Sequence, residues 1–327
     1  MYSVRWQTGC APCVMVLSAL VAGCASPLPS GVPGIAELVE EYTHAVGDRR
    51  RTISIEIMQA ADDGGSEEVL DACVPILNDR RRDMRQAAVG WLATAADRAR
   101  GEAGAALRAR TLELLTERAA VETDGRVRMA VAHSIARMRL ADCVPVLMGI
   151  SLAPDWQVAH SGLTALGRLG DGRPDLLSEI TPFLIQRLST EIEELGAKPD
   201  DGVTGTLISA LGELDDARAL DAIEKAYRAS PAGLGCFCMD AGGRIALRNR
   251  HPVLDDLPHR GHELEITDAE RARADALLRE GQSHPSEPVR EEAAIWLRMI
   301  AAEDTRHATE LAAIEAKAAA REAEAGR

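Results

Sequence analysis

The chain has 327 residues, 3% aromatic side chains and a formal net charge of −14. That length can bury a large core and allows more than one domain. The acidic balance argues against general nucleic-acid binding, which needs a basic footprint, and scarce rings argue against base-stacking platforms. Small and aliphatic side chains dominate the rest, which favours close-packed helices over sheets.

The N-terminus differs from the rest of the chain. Arg5 is the only charged residue before Glu37, and an apolar run extends from Cys10 to Gly23. The run is short for a membrane span and suits the apolar region of a secretory signal. It ends in Leu20-Val21-Ala22-Gly23-Cys24. That pattern, aliphatic then small residues then cysteine, resembles the lipobox of bacterial lipoproteins. The resemblance implies cleavage before Cys24, a lipid (palmitate) on Cys24, and a folded domain held outside the cytoplasm at a membrane of the cell envelope. Ordinary export, an uncleaved anchor and a cytoplasmic protein with an unprocessed N-terminus are the alternatives. Residues 1–23 are then the signal peptide and 24–34 a tether, because Ser26 to Gly34, "SPLPSGVPG", is too rich in Pro, Gly and Ser to hold a helix.

From residue 35 the pattern is helical and repetitive. First helices are expected at 35–46, 67–78, 103–121, 143–151, 181–195, 217–229 and 268–280. All but the first are followed by a second helix with apolar residues spaced four, four and three apart, one stripe of an α-helix. The stripes are Met84, Ala88, Leu92, Ala95; Val127, Val131, Ile135, Met138; Val158, Gly162, Leu166, Leu169; Val203, Leu207, Leu211, Leu214; and Val289, Ala293, Leu297, Ile300. A weaker one runs through Met239, Gly243, Leu247 and Arg250. Asp124, Asp155 and Asp200 are placed to cap second helices, and Pro75, Pro145 and Pro182 to fall in first turns. The tail, 303–327, reads as a solvated polar extension of the last helix or as a frayed end.

Asp155, Val158, Ala165, Leu166, Gly167, Leu169, Gly170 and Asp171, with the pairs Val127–Arg128 and Val289–Arg290, resemble the signature of HEAT-like repeats of the phycobilisome-lyase type. The resemblance covers about residues 48–302 and is poor around 230–265. It implies an all-α solenoid of about six or seven helical pairs over residues 35–302, with the second helices lining a concave surface. A helical pair cannot bury its stripe alone, so stacked pairs share one elongated core.

"CVPIL" at 73–77 returns as "CVPVL" at 143–147. Equivalent sites two units apart lie on the order of 20 Å from each other, from helix spacings of about 10 Å. A disulfide needs about 7 Å or less between Cα atoms, so Cys73 and Cys143 are expected as small buried hydrophobes. Cys236 and Cys238, with His251, His259, His262 and Glu263 in the irregular 248–266 insertion, form the alternative site, a metal-binding or enzymatic one. A Cys236–Cys238 disulfide and free thiols are the other readings of that pair.

Positions 5, 9 and 13 of the second helices, counted from the capping residue, lie opposite the stripe. They are Met129, His133 and Arg137; His160, Thr164 and Arg168; and Gly205, Ser209 and Glu213. Two sets of histidine and arginine side by side in an acidic chain suggest a site for an anionic segment of a protein partner. An ordinary solvated face is the alternative. No glycine-rich phosphate loop, "HExxH" or "GxSxG" occurs. Some HEAT-like relatives are chromophore lyases or metal hydroxylases; the hydroxylases carry His–Glu pairs in their repeats, and here the only such pair, His262–Glu263, lies outside them. The expected function is a non-catalytic protein-binding scaffold, tethered through Cys24, with no cofactor and no nucleic acid.

Overall fold

The computed structural model describes residues 34–99, 101–194, 202–247 and 266–325. The expected signal peptide, Cys24, Asp200, Arg250 and the 248–265 stretch with His251, His259, His262 and Glu263 lie outside them. The unit from Ile35 onward contains, among the described residues, fourteen α-helices and no strand. They are α1 (Ile35–His44), α2 (Gly47–Asp62), α3 (Ser66–Cys73), α4 (Arg82–Arg98), α5 (Gly101–Val121), α6 (Gly125–Met138), α7 (Cys143–Ser151), α8 (Trp156–Gly170), α9 (Pro174–Glu194), α10 (Val203–Leu214), α11 (Leu220–Ala229), α12 (Pro231–Leu247), α13 (Asp268–Gln282) and α14 (Glu287–Ala325). Each odd helix packs on the even helix after it, which makes seven pairs. Successive second helices touch along the whole array, while successive first helices touch far less. A stack bends toward the side on which its helices approach more closely, so the second helices form the inner layer.

The apolar stripes hold these layers together. Met84, Ala88, Leu92 and Ala95 are all buried, as are Val127, Val131, Ile135 and Met138 in the next pair. Val158, Gly162, Leu166 and Leu169 continue the core through α8, and Val203, Leu207, Leu211 and Leu214 through α10. The weaker stripe holds as well, with Met239 and Gly243 buried in α12 and Leu247 packed against the core.

Polar groups set the turns. The Asp124 side chain accepts from the backbone N–H groups of Arg126 and Val127 at 3.0 and 3.3 Å. Asp155 does the same for Gln157 and Val158 at 2.9 and 3.4 Å. Asp155→Ala is expected to cost about 1 kcal/mol in a urea titration, because it leaves first-turn donors without an acceptor. The arginine after the first stripe residue ties down the preceding turn. Arg85 Nη1 donates to the carbonyls of Asp79 and Arg80 at 2.9 and 3.1 Å, and Arg290 Nη1 to those of His284 and Pro285 at 2.9 and 2.6 Å.

Two local expectations are corrected. Pro174 opens α9, and Pro182 lies inside that helix. One lost hydrogen bond there is outweighed by burial of Leu176, Leu177, Ile180, Leu184 and Leu188 on both sides of the proline. The two cysteine pentapeptides are not in equivalent places. Cys73 closes α3, and Pro75 then opens a separate 3-10 turn, Pro75–Asn78, whereas Cys143 opens α7 and Pro145 falls in its first turn. Cys73 ends a full helix that stops just before Pro75, whereas the chain before Cys143 is a turn, with Arg139 in the left-handed region at φ 53°. The helix α10 starts at Val203, after Gly202 at φ 89°.

Both cysteines are fully buried free thiols. Burial pushes the Cys73 thiol up to about 12 and the Cys143 thiol to about 11, so both act as small apolar groups.

Candidate functional site

The inner layer presents its side chains in rows that run from one second helix to the next. His133 and Arg137 of α6 and His160 and Arg168 of α8 are exposed, while Met129, Thr164, Ser209 and Glu213 are half-buried. Gly205, expected on the exposed face, is buried instead. The ring of Phe237 from α12 fills the space that a side chain would have taken: a Cβ on Gly205 would stand 2.8–3.1 Å from three ring atoms. Phe237 itself remains 43% exposed, and Trp156, one turn before His160, is 48% exposed.

The histidines and arginines of α6 and α8 come together. Burial lowers the pKa of His133 below its ordinary value, and the charges of Arg168 and then His160 lower it further. Burial lowers that of His160 too. Both rings are therefore neutral at neutral pH. The Nδ1 atom of His160 lies 2.6 Å from Thr206 Oγ1 on α10, and that hydroxyl donates to the Gly202 carbonyl at 2.8 Å. Arg137 reaches Asp97 of α4 at 3.4 Å in an exposed pair that solvent weakens.

Beyond α8 the face changes sign. Burial raises the pKa of Glu213, Arg168 and Arg244 oppose the rise, and Asp171 and Asp240 add to it. Its Oε2 is buried and has no hydrogen-bond partner among the described residues. Arg244 pairs with Asp240 at 3.1 Å on α12. On α14, Glu292 accepts from Trp296 Nε1 at 3.0 Å, and burial raises its pKa also. An imidazole and guanidinium patch on α6 and α8 thus adjoins a carboxylate-rich stretch on α10, α12 and α14.

Cys236 and Cys238 are free thiols on α12. Two residues of separation turn them about 200° apart around the helix, so they cannot share an ion or a bond. Cys238 is buried and its Sγ contacts the Ile223 carbonyl at 3.6 Å, while Cys236 feels the charge of Glu292. Among the described residues no group of three or more His, Cys, Asp and Glu side chains could hold a metal ion. No described helix is long and apolar enough to cross a membrane.

Sequence reasoning missed Thr206, Phe237, Asp240, Arg244, Glu292 and Trp296. A signal existed for Phe237, one of two phenylalanines in the chain. The rest depend on the register between neighbouring helices, which a single stripe does not encode.

No protein-family model matches the chain, and no curated protein does. Solved structures with a similar course include an engineered protein at 19% identity, covering 71% of this chain and 98% of the other, with a TM-score of 0.46. A designed armadillo repeat protein is 18% identical over 71% of this chain and 99% of its own, with a TM-score of 0.40. A chain of the complex of CpcE and CpcF of phycocyanin lyase from Nostoc sp. PCC7120 is 15% identical over 72% and 94%, with a TM-score of 0.42. The pairing of its helices makes this chain an α-solenoid of stacked repeats.

Proposed function

We propose that this protein is a non-catalytic scaffold that binds an anionic segment of a protein partner on its inner face, across α6 and α8. The observation that carries the reading is the cluster of His133, His160, Arg137 and Arg168, two guanidinium groups beside two neutral rings on one exposed surface. Stacked helical repeats present extended surfaces of this kind, and arginine is the side chain best suited to carboxylates on them. Thr164, Ser209 and Met129 supply adaptable half-buried contacts, and Glu213 limits the cationic patch on its α10 side. Phe237 and Trp156 add exposed aromatic area of the sort that anchors protein interfaces.

Crosslinking in the native cell, with identification of what co-purifies, tests this directly. The double variant Arg137→Glu and Arg168→Glu is expected to weaken capture of the main crosslinked protein at least about tenfold, since like charges then face each other. Unchanged capture by the double variant sinks the reading.

The same proposal places the scaffold at a bacterial membrane through a lipid on Cys24. What supports it is the sequence before Cys24 alone. Metabolic labelling with palmitate, lost in Cys24→Ser and accompanied by globomycin-sensitive processing, is the expected result. A Cys24→Ser protein that is labelled and fractionates like the wild type contradicts it.

A further inference from the structure

A threonine hydroxyl has one proton. That of Thr206 is directed at the Gly202 carbonyl, 2.8 Å away and one turn back in the chain. The Thr206 oxygen then has only lone pairs to offer the ring of His160, whose Nδ1 stands 2.6 Å from it. A contact that short needs a proton between the two atoms, and the ring must supply it. If the hydroxyl instead gave its proton to Nδ1, two oxygens would face each other across 2.8 Å with none between them. The neutral ring of His160 is therefore protonated on Nδ1. Its other nitrogen, Nε2, carries a lone pair, and the ring is exposed on the inner face.

On this face His133 of α6 interacts with both His160 and Arg168, and Arg137 of α6 and Glu213 of α10 hold the positions equivalent to Arg168. Partial burial disfavours a second proton on the ring. A carboxylate opposite a lone pair is repelled, whereas an N–H is attracted.

We propose, resting on the reading of this face as a partner site, that Thr206 and His160 form a specificity point: Nε2 accepts a hydrogen bond from a neutral donor of the bound segment, a backbone or side-chain amide. Arg168, two turns further along α8, and Arg137 at the equivalent position of α6 take the carboxylates of the same segment. The segment recognised is then acidic but interrupted by amide groups. Thr206 is a positioning residue, because it selects the ring's tautomer without touching the partner.

Nitrogen-15 spectra of the histidine rings in the full chain at neutral pH read the tautomer. His160 is expected protonated at Nδ1 in the wild type and in Thr206→Ser, and to shift to Nε2 protonation in Thr206→Val. A wild-type ring protonated at Nε2, or a Thr206→Val ring that matches the wild type, overturns the proposal. Two fluorescent octapeptides then test selection, one all glutamate and one alternating glutamate with glutamine. The alternating peptide is expected to bind about fivefold more tightly, the worth of one hydrogen bond, and to lose that advantage in Thr206→Val and His160→Ala. Equal affinities, with the tautomer as expected, overturn the selection while leaving the anionic site in place. Failure of both peptides to bind overturns the anionic reading itself, and the proposal with it.

Discussion

Glu122→Ala is expected to destabilise the folded chain by about 3 kcal/mol or more, the cost of breaking a buried ion pair from one side. The Glu122 side chain is fully buried, and Arg85 and Arg118 are each 12% exposed beside it. It accepts from Arg85 Nε and Nη2 at 2.8 and 2.9 Å, from Arg118 Nε at 2.9 Å and from the Asp124 backbone N–H at 2.9 Å. One carboxylate thereby joins α4, the end of α5 and the cap of α6. Because an array is stabilised pair by pair, its loss acts locally. Limited proteolysis of the variant is expected to cut near the α5–α6 turn before the rest of the array opens. A variant as stable and as resistant as the wild type rules this out.

The same group predicts how stability depends on acidity. Burial pushes the Glu122 pKa up, but the hydrogen bonds from Arg85, the Asp124 backbone and Arg118 outweigh it and hold the value at about 2, against an ordinary 4.5. A depressed folded-state pKa adds stability above the unfolded value and loses it as pH falls toward the folded one. The contribution is about 3 kcal/mol, complete above pH 4.5 and lost between there and pH 2. Urea titrations of the wild type over that range should fall more steeply than those of Glu122→Gln, whose amide does not titrate. Parallel curves would show that other carboxylates dominate.

The second large effect concerns a substitution that ordinarily helps. Alanine is better than glycine inside a helix by about 1 kcal/mol. At Gly212, however, a Cβ would stand 2.7 Å from the Ala241 Cα and 2.8 Å from its Cβ. The nearest atom is backbone, so α10 and α12 must separate, at a cost of about 1–3 kcal/mol for overpacking. Gly212→Ala is expected to be net destabilising. Gly90, in the interior of α4, has nothing within 4 Å of the corresponding position. Gly90→Ala is expected to stabilise by about 0.5–1 kcal/mol. Opposite shifts of the two urea midpoints support the close approach of the second helices; a stabilising Gly212→Ala refutes it.

Much of this architecture is legible in the residues alone. Stripes at four, four and three predict α6, α8 and α10 because burial of one face needs that spacing whatever the neighbours are. Asp124 and Asp155 mark helix starts because a cap acts within three residues. Pro182 misleads, since a proline's local cost is small against a long buried stripe and α9 can absorb it. The face is half legible. Opposition to the stripe identifies His133, Arg137, His160 and Arg168 as outward, because that follows from the helix alone. It errs at Gly205, where a side chain from the next helix decides exposure.

The sequence by itself thus determined the array of helical pairs, its core and the candidate cations of its inner face, through interactions that span at most a few turns of one helix. Only the tertiary structure decided which residues meet: Phe237 over Gly205, Thr206 against His160, Glu213 beyond Arg168, and Arg85 against Glu122. Each pairing joins different helices. Their relative register depends on how closely backbones approach, and that distance is set by glycines and side-chain volumes distant in sequence, which no single periodic pattern contains.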